Sequence, residues 1–237
     1  MIDRRHLKAL LFDVDGTLYR QKPLRRAMAL RLIRHYLLQP MCLLRTARIL
    51  RAYREAQEDL RKGSRSEGSI ANAQLQMAAE RTGIGVEAVA NCVNRWMEQE
   101  PLALLPRFRQ PGLTELLHAA CEKRLRLGVV SDYPAMEKLR ALGIARYVEV
   151  VVTAQEPEVN AFKPDPTGLK VALQRLRVAP QEVLYVGDRP EVDAVAACSV
   201  GIPCVILTNE HTGGNNTGWD RITSFNELSR VLFYEPK

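Results

Sequence analysis

Apolar residues follow two rhythms along the chain. Residues 7–12, Leu-Lys-Ala-Leu-Leu-Phe, form a short apolar run stopped by Asp-Val-Asp-Gly, which predicts a buried strand ending in a polar loop. From residue 24 to about residue 100 the apolar positions instead recur every three or four residues. That spacing predicts helices throughout, broken near Pro40 and at 63–69 and 82–85, with no strand among them. After Pro106 the two rhythms alternate. Helices are predicted over 112–125, 134–142, 167–176 and 191–198, and strands over 127–130, 148–152, 183–186 and 204–207. Short strands alternating with helices imply a parallel sheet covered on both faces, whose ligand sites lie at the carboxyl ends of its strands.

The polar residues fall into register with this pattern. Asp13 and Asp15 follow the first strand, Ser131 and Asp132 the second, and Gly187-Asp188 the strand at 183–186. Singly, each has a plain structural reading: a strand end, a helix cap, or, for Asp193, a favourable charge in the first turn of a helix. Lys163 alone reads as a surface lysine before a turn. Together, three strand ends offer carboxylates or a hydroxyl to one crevice, and core building does not require that. Carboxylates crowded at one sheet edge repel unless a proton or a cation intervenes, and a hard divalent ion such as Mg²⁺ meets that need with oxygen ligands.

Composition narrows the class. The 237 residues correspond to one domain with a large insertion, or two small ones, at about 150 residues per domain. With 46% apolar and 26% charged residues the chain is neither disordered nor fibrous, and no stretch approaches the ~20 apolar residues of a membrane span. Nothing after the N-terminal apolar run resembles a signal cleavage site. Five scattered cysteines suggest neither a disulfide framework nor a zinc site, so a cytoplasmic location is expected. The four histidines show no ligand spacing.

Asp13-Val14-Asp15-Gly16-Thr17-Leu18, then Ser131, then Phe162-Lys163-Pro164-Asp165-Pro166, then Gly187-Asp188-Arg189-Pro190-Glu191-Val192-Asp193 resemble the four ordered motifs of the haloacid dehalogenase (HAD) superfamily. Order, spacing and strand context match over the chain, apart from the detail of residues 18–105. The resemblance implies a Rossmann-like core in which Asp13 attacks phosphorus to form an aspartyl-phosphate. Asp15 would protonate the leaving oxygen and then activate water. That role requires a carboxyl protonated near neutral pH, against an ordinary value of about 3.9. Ser131 and nearby amides would hold phosphoryl oxygens, and Lys163 would offset negative charge. Asp188 would bind Mg²⁺ with Asp13 and the backbone carbonyl of Asp15, and Asp193 would act through a water or as support behind the ligands. Asp132 stands where the family often has asparagine.

Two features sort the chain within that superfamily. Members that cleave carbon–halogen bonds resemble this chain but lack the second aspartate, so Asp15 favours phosphate chemistry. In addition, 115 residues separate Asp15 from Ser131, against 31 between Ser131 and Lys163. The extra helical material resembles the C1 type of cap found in phosphoglycolate phosphatase-like members. The expected organisation is a catalytic core from 1–17 and 106–237 with a helical cap domain at 18–105, which excludes water and reads the substrate. The expected activity is Mg²⁺-dependent hydrolysis of a small phosphorylated metabolite. A phosphomutase is the alternative within this chemistry.

Charge adds a second theme. The net charge is +7, yet residues 20–65 hold thirteen Lys or Arg against three acids, a balance of +10 that leaves the remainder at −3. Arg45, Arg48, Arg51 and Arg54, three apart, fan over half of a helix surface. A solvated face with arginine stems laid over apolar neighbours is the plainer reading, and an anionic membrane or nucleic acid the sharper one. The loop at 208–218 reads as a connection after the last predicted strand.

Overall fold

The computed structural model describes residues 6–63, 68–208 and 218–234. Of the connection expected at 208–218, residues 209–217 lie outside the described part. Six strands form one parallel sheet: β1 (Ala9–Phe12), β2 (Arg126–Ser131), β3 (Val150–Thr153), β4 (Val183–Gly187), β5 (Cys204–Leu207) and β6 (Asp220–Ile222), in the order β3-β2-β1-β4-β5-β6. Every residue of β1 is buried, because both faces of the sheet are covered and an uninterrupted apolar run is what such a strand needs. The side chains of β1 alternate between two cores: Leu10 and Phe12 join Leu127, Leu184 and Phe225 on one face, while Ala9 and Leu11 join Val152, Leu169 and Ile206 on the other.

After β1, up to residue 108, the chain makes helices α1 (Gln21–His35), α2 (Pro40–Lys62), α3 (Ile70–Thr82), α4 (Val86–Val93) and α5 (Leu105–Phe108), with a π turn at Asn94–Gln99 extending α4. Pro40 opens α2, a position where its missing N–H costs nothing. Helices α2, α3 and α4 bury a separate apolar cluster around Ile49, Tyr53, Ala78, Val89 and Val93, whereas Leu18, Leu24 and Leu105 at the ends of the insertion belong to the sheet's own core. The remaining helices are α6 (Leu113–Glu122), α7 (Met136–Ala141), α8 (Thr167–Leu176), α9 (Val195–Ser199) and α10 (Phe225–Phe233). The helix expected at 191–198 begins instead as a π turn over Pro190–Ala194 and becomes α-helical only in α9. Among the described residues no helix is long and apolar enough to cross a membrane.

Candidate active site

Because β1 lies between β2 and β4, the carboxyl ends of these three strands stand side by side. The strand order reverses at β1, and crevices form at such switch points. A cavity of about 750 Å³ opens there, walled on one side by the strand-end loops and on the other by α1, α2 and the π turn after α4. Asp13, Asp15, Lys163, Asp188 and Asp193 all line it. Ser131 ends β2 as expected but is buried away from the cavity surface, and its hydroxyl oxygen accepts a hydrogen bond from the Tyr133 N–H at 3.2 Å.

The centre is a buried lysine among carboxylates. Lys163 Nζ donates to Asp13 Oδ1 at 2.5 Å, to Asp193 Oδ1 at 2.7 Å and to the Tyr185 hydroxyl at 2.9 Å. Burial alone would depress its proton affinity, but Asp13 and Asp193 outweigh that and hold Lys163 firmly as a cation. Asp13 keeps its second oxygen on the Thr17 hydroxyl at 3.1 Å, so its carboxylate plane is fixed from both sides. Asp193 receives, besides Lys163, the Tyr185 hydroxyl at 2.9 Å and the backbone N–H groups of Asp188 and Arg189 at 3.2 and 3.0 Å. These donors hold its carboxyl below the ordinary range although burial acts the other way.

Asp13, Asp188 and Asp193 each place an oxygen within 4.8 Å of the others, a group able to hold a metal ion. Among the described residues, no donor reaches the Asp188 carboxylate. Burial, reinforced by Asp193, pushes Asp188 up to about 7, and burial with Asp193 and Asp188 raises Asp13 well above its ordinary value in spite of Lys163. One ammonium therefore does not balance three clustered carboxylates. Two glycines permit the crowding: a Cβ on Gly16, whose φ is +111°, would lie 2.1 Å from Asp188 Oδ2, and one on Gly187 would lie 2.4 Å from Asp193 Cβ.

Asp15 departs from expectation. Its side chain turns away from the cluster and accepts two hydrogen bonds from Lys138 Nζ, at 2.6 and 2.7 Å, and one from the Tyr19 hydroxyl. Burial raises its carboxyl, but Lys138 and Tyr19 outweigh burial and bring it below the ordinary range. The arrangement thus favours a carboxylate at Asp15, where the assigned chemistry requires an acid. Sequence reading missed Lys138 because a lysine on a short helix is normally a surface residue. Tyr185 was missed because an aromatic residue inside an apolar strand reads as core.

The helical insertion grips the same loops. Asp132 Oδ1 accepts the Lys163 backbone N–H at 3.1 Å, while Oδ2 accepts from Gln57 at 3.3 Å and from Arg61, both on α2. The Tyr133 hydroxyl donates to Gln57 at 2.8 Å, and Arg189 meets Glu58 at 3.3 Å. Asp132 is thus the acceptor that ties α2 to the Lys163 loop.

A family model for haloacid dehalogenase-like hydrolases matches residues 7–201. The chain is 38% identical over 103 residues to the validoxylamine A 7'-phosphate phosphatase of Streptomyces hygroscopicus subsp. limoneus, covering 42% of this chain and 47% of that one. It is 36% identical over 110 residues to the phosphoglycolate phosphatase of Escherichia coli K12, covering 45% and 42%. The match thus spans less than half the length of either relative. Against the glyceraldehyde 3-phosphate phosphatase of Methanopyrus kandleri it is 31% identical over 204 residues, covering 84% of this chain and 83% of the relative. A HAD phosphatase from Thermococcus onnurineus shares the fold with a TM-score of 0.66 at 24% identity, covering 97% and 99% of the two chains. A 2-haloacid dehalogenase from Pseudomonas syringae pv. Tomato DC3000 does so with a TM-score of 0.66 at 21%, covering 95% and 98%. With its motifs gathered at one sheet edge and matched across most of its length, the chain belongs to the haloacid dehalogenase-like hydrolases.

Proposed function

We propose that the protein hydrolyses phosphomonoesters of small metabolites through an aspartyl-phosphate on Asp13, with Mg²⁺ as cofactor. The observation that carries this reading is the cluster of Asp13, Asp188 and Asp193 around a single lysine. Hard oxygen donors in charge excess suit a small hard dication, and Asp13 and Asp188 provide the accessible ligand oxygens. Asp193, with its oxygens already engaged by four donors, serves as support behind them. When bound, Mg²⁺ supplies positive charge that keeps Asp13 ionised and lowers repulsion toward a phosphate dianion.

The chain's own residues do the rest. Lys163 and Thr17 orient Asp13 for in-line attack, forming the Oδ–P bond as the P–O bond to the leaving alcohol breaks. The Ser131 hydroxyl has no acceptor among the described residues, yet it lies behind the cavity wall, so the phosphoryl contact that the resemblance implies for it would need the Asp132–Tyr133 loop to shift. Asp15 acts as a base on water in the second half-reaction in the ionised form that Lys138 favours; to protonate the leaving oxygen in the first half it must first part from Lys138 and take a proton from solvent. The insertion between residues 18 and 105 is the cap. On its inner wall, Arg25 and Arg54 line the cavity without an acidic partner among the described residues. Burial lowers the proton affinity of Arg54, and Arg25 lowers it further, so a substrate bearing a second anionic group would relieve both.

The relatives named as phosphatases support the reaction class. A panel of phosphomonoesters, with and without a second carboxylate or phosphate and with and without Mg²⁺, tests the reading. Mg²⁺-dependent turnover, faster for the doubly anionic members and lost in Asp13→Asn, is expected. Full turnover in Asp13→Asn would refute the nucleophile, and equal rates across the panel would refute the arginine subsite.

A further inference from the structure

Ten large apolar side chains are exposed among the described residues, and six of them lie between positions 30 and 44: Leu30 (63%), Ile33 (46%), Leu37 (72%), Leu38 (92%), Met41 (75%) and Leu44 (63%). They surround the turn that joins α1 to α2. Leu30 and Ile33 share one face of α1, Leu37 and Leu38 lie in the turn itself, and Met41 and Leu44 share a face of the first turns of α2 that continues into Arg45 and Arg48. Only Leu24 of the fifteen residues in α1 is buried. A helix of that length gains little from propensity alone and ordinarily relies on a packed face. Contiguous exposed apolar surface of this kind marks a contact site.

The surrounding charge identifies the partner. Residues 26–48, around the turn, contain five Arg and no Asp or Glu, and of these Arg31 alone is paired with an acid among the described residues, Glu100. A second copy seated face to face would set these cations against one another. A nucleic acid strand would use the charge but not the leucines, and it would want exposed rings for base stacking. The two rings beside the turn, His35 and Tyr36, pack instead on each other, with centroids 4.6 Å apart, and on Trp96, at 5.3 and 5.9 Å. We propose that the α1–α2 turn docks on the surface of an anionic lipid bilayer, with Leu37, Leu38 and Met41 entering between headgroups and Arg34, Arg45 and Arg48 meeting lipid phosphates. Shallow apolar insertion combined with cationic attraction gives reversible surface binding, in keeping with the absence of any spanning helix among the described residues.

Co-sedimentation with phosphatidylcholine vesicles, with and without about one third phosphatidylglycerol, at about 0.15 M salt tests this without any assay of turnover. Failure here would therefore leave the phosphatase reading untouched. The protein is expected to bind the anionic vesicles, and to bind neutral ones at least about tenfold more weakly, a difference of ~1.4 kcal/mol. Leu38→Asp with Met41→Asp, at positions whose exposure makes them dispensable for folding, and separately Arg34→Gln with Arg45→Gln, should each lower partitioning by a similar factor. No binding to anionic vesicles, or unchanged binding by either double variant, would overturn the proposal. So would a dimer by light scattering that Leu38→Asp dissociates, or retention on RNA in place of vesicles at the same salt.

Discussion

Gly16 sets how closely the first motif loop approaches Asp188. With φ at +111° and a hypothetical Cβ 2.1 Å from Asp188 Oδ2, it admits no side chain without displacing a carboxylate of the cluster. Gly16→Ala should therefore cost about 1–3 kcal/mol in stability, read as a lower melting temperature, and should reduce Mg²⁺ affinity along with it. A variant that melts and binds metal like the parent would show that the loop is more pliant than its geometry indicates. At this scale the sequence was informative where chemistry dictates identity. Asp13, Asp188, Asp193 and Lys163 stand where strand ends and motif spacing put them. It was silent where identity is common and position decides: Lys138, Tyr19 and Tyr185 acquire their roles only from the three-dimensional neighbourhood.

Among the elements, α2 has the most consequential position. One end carries the exposed apolar tip, while Gln57, Glu58 and Arg61 near the other end reach the strand-end loops. The Arg61–Asp132 pair is buried on both sides, and removing one partner of a buried pair strands the other charge. Arg61→Met is expected to destabilise the fold by about 3 kcal/mol in a denaturant titration and to slow turnover, because Asp132 also fixes the backbone of Lys163. A change within ~0.5 kcal/mol would mean that Gln57 and the Lys163 N–H suffice to hold Asp132. Periodicity located the helices before residue 200 and the central strands because each buries a continuous run or stripe. It gave no indication of β6, an edge strand of three residues with Asp220 and Arg221 exposed. Helix α10 was not predicted either, although its stripe of Phe225, Leu228 and Leu232 and its Ser224 cap stand in the sequence. The π turn at Pro190–Ala194 was not legible, since its apolar spacing matches that of an ordinary helix.

For the whole molecule, the balance between a negative centre and a positive periphery governs stability as well as binding. Asp188 is pushed up to about 7 and Asp13 is raised well above its ordinary value. A carboxyl whose proton affinity is higher folded than unfolded stabilises the fold at low pH, and that contribution is lost as pH rises through the folded value. Protein treated with a chelator should accordingly melt at a lower temperature at pH 8 than at pH 5, and added Mg²⁺ should raise the melting temperature more at pH 8. Asp15 and Asp193, shifted downward, act in the opposite sense only below about pH 4. An apo protein equally stable at the two pH values would contradict the charge crowding on which the metal assignment rests. The most direct test of the account is acid quenching of the protein during turnover of a phosphomonoester, followed by mass spectrometry of the peptide containing residue 13. A single phosphoryl adduct on Asp13, absent in Asp13→Asn, is the predicted result, and steady turnover with a phosphoryl group on some other residue would contradict it.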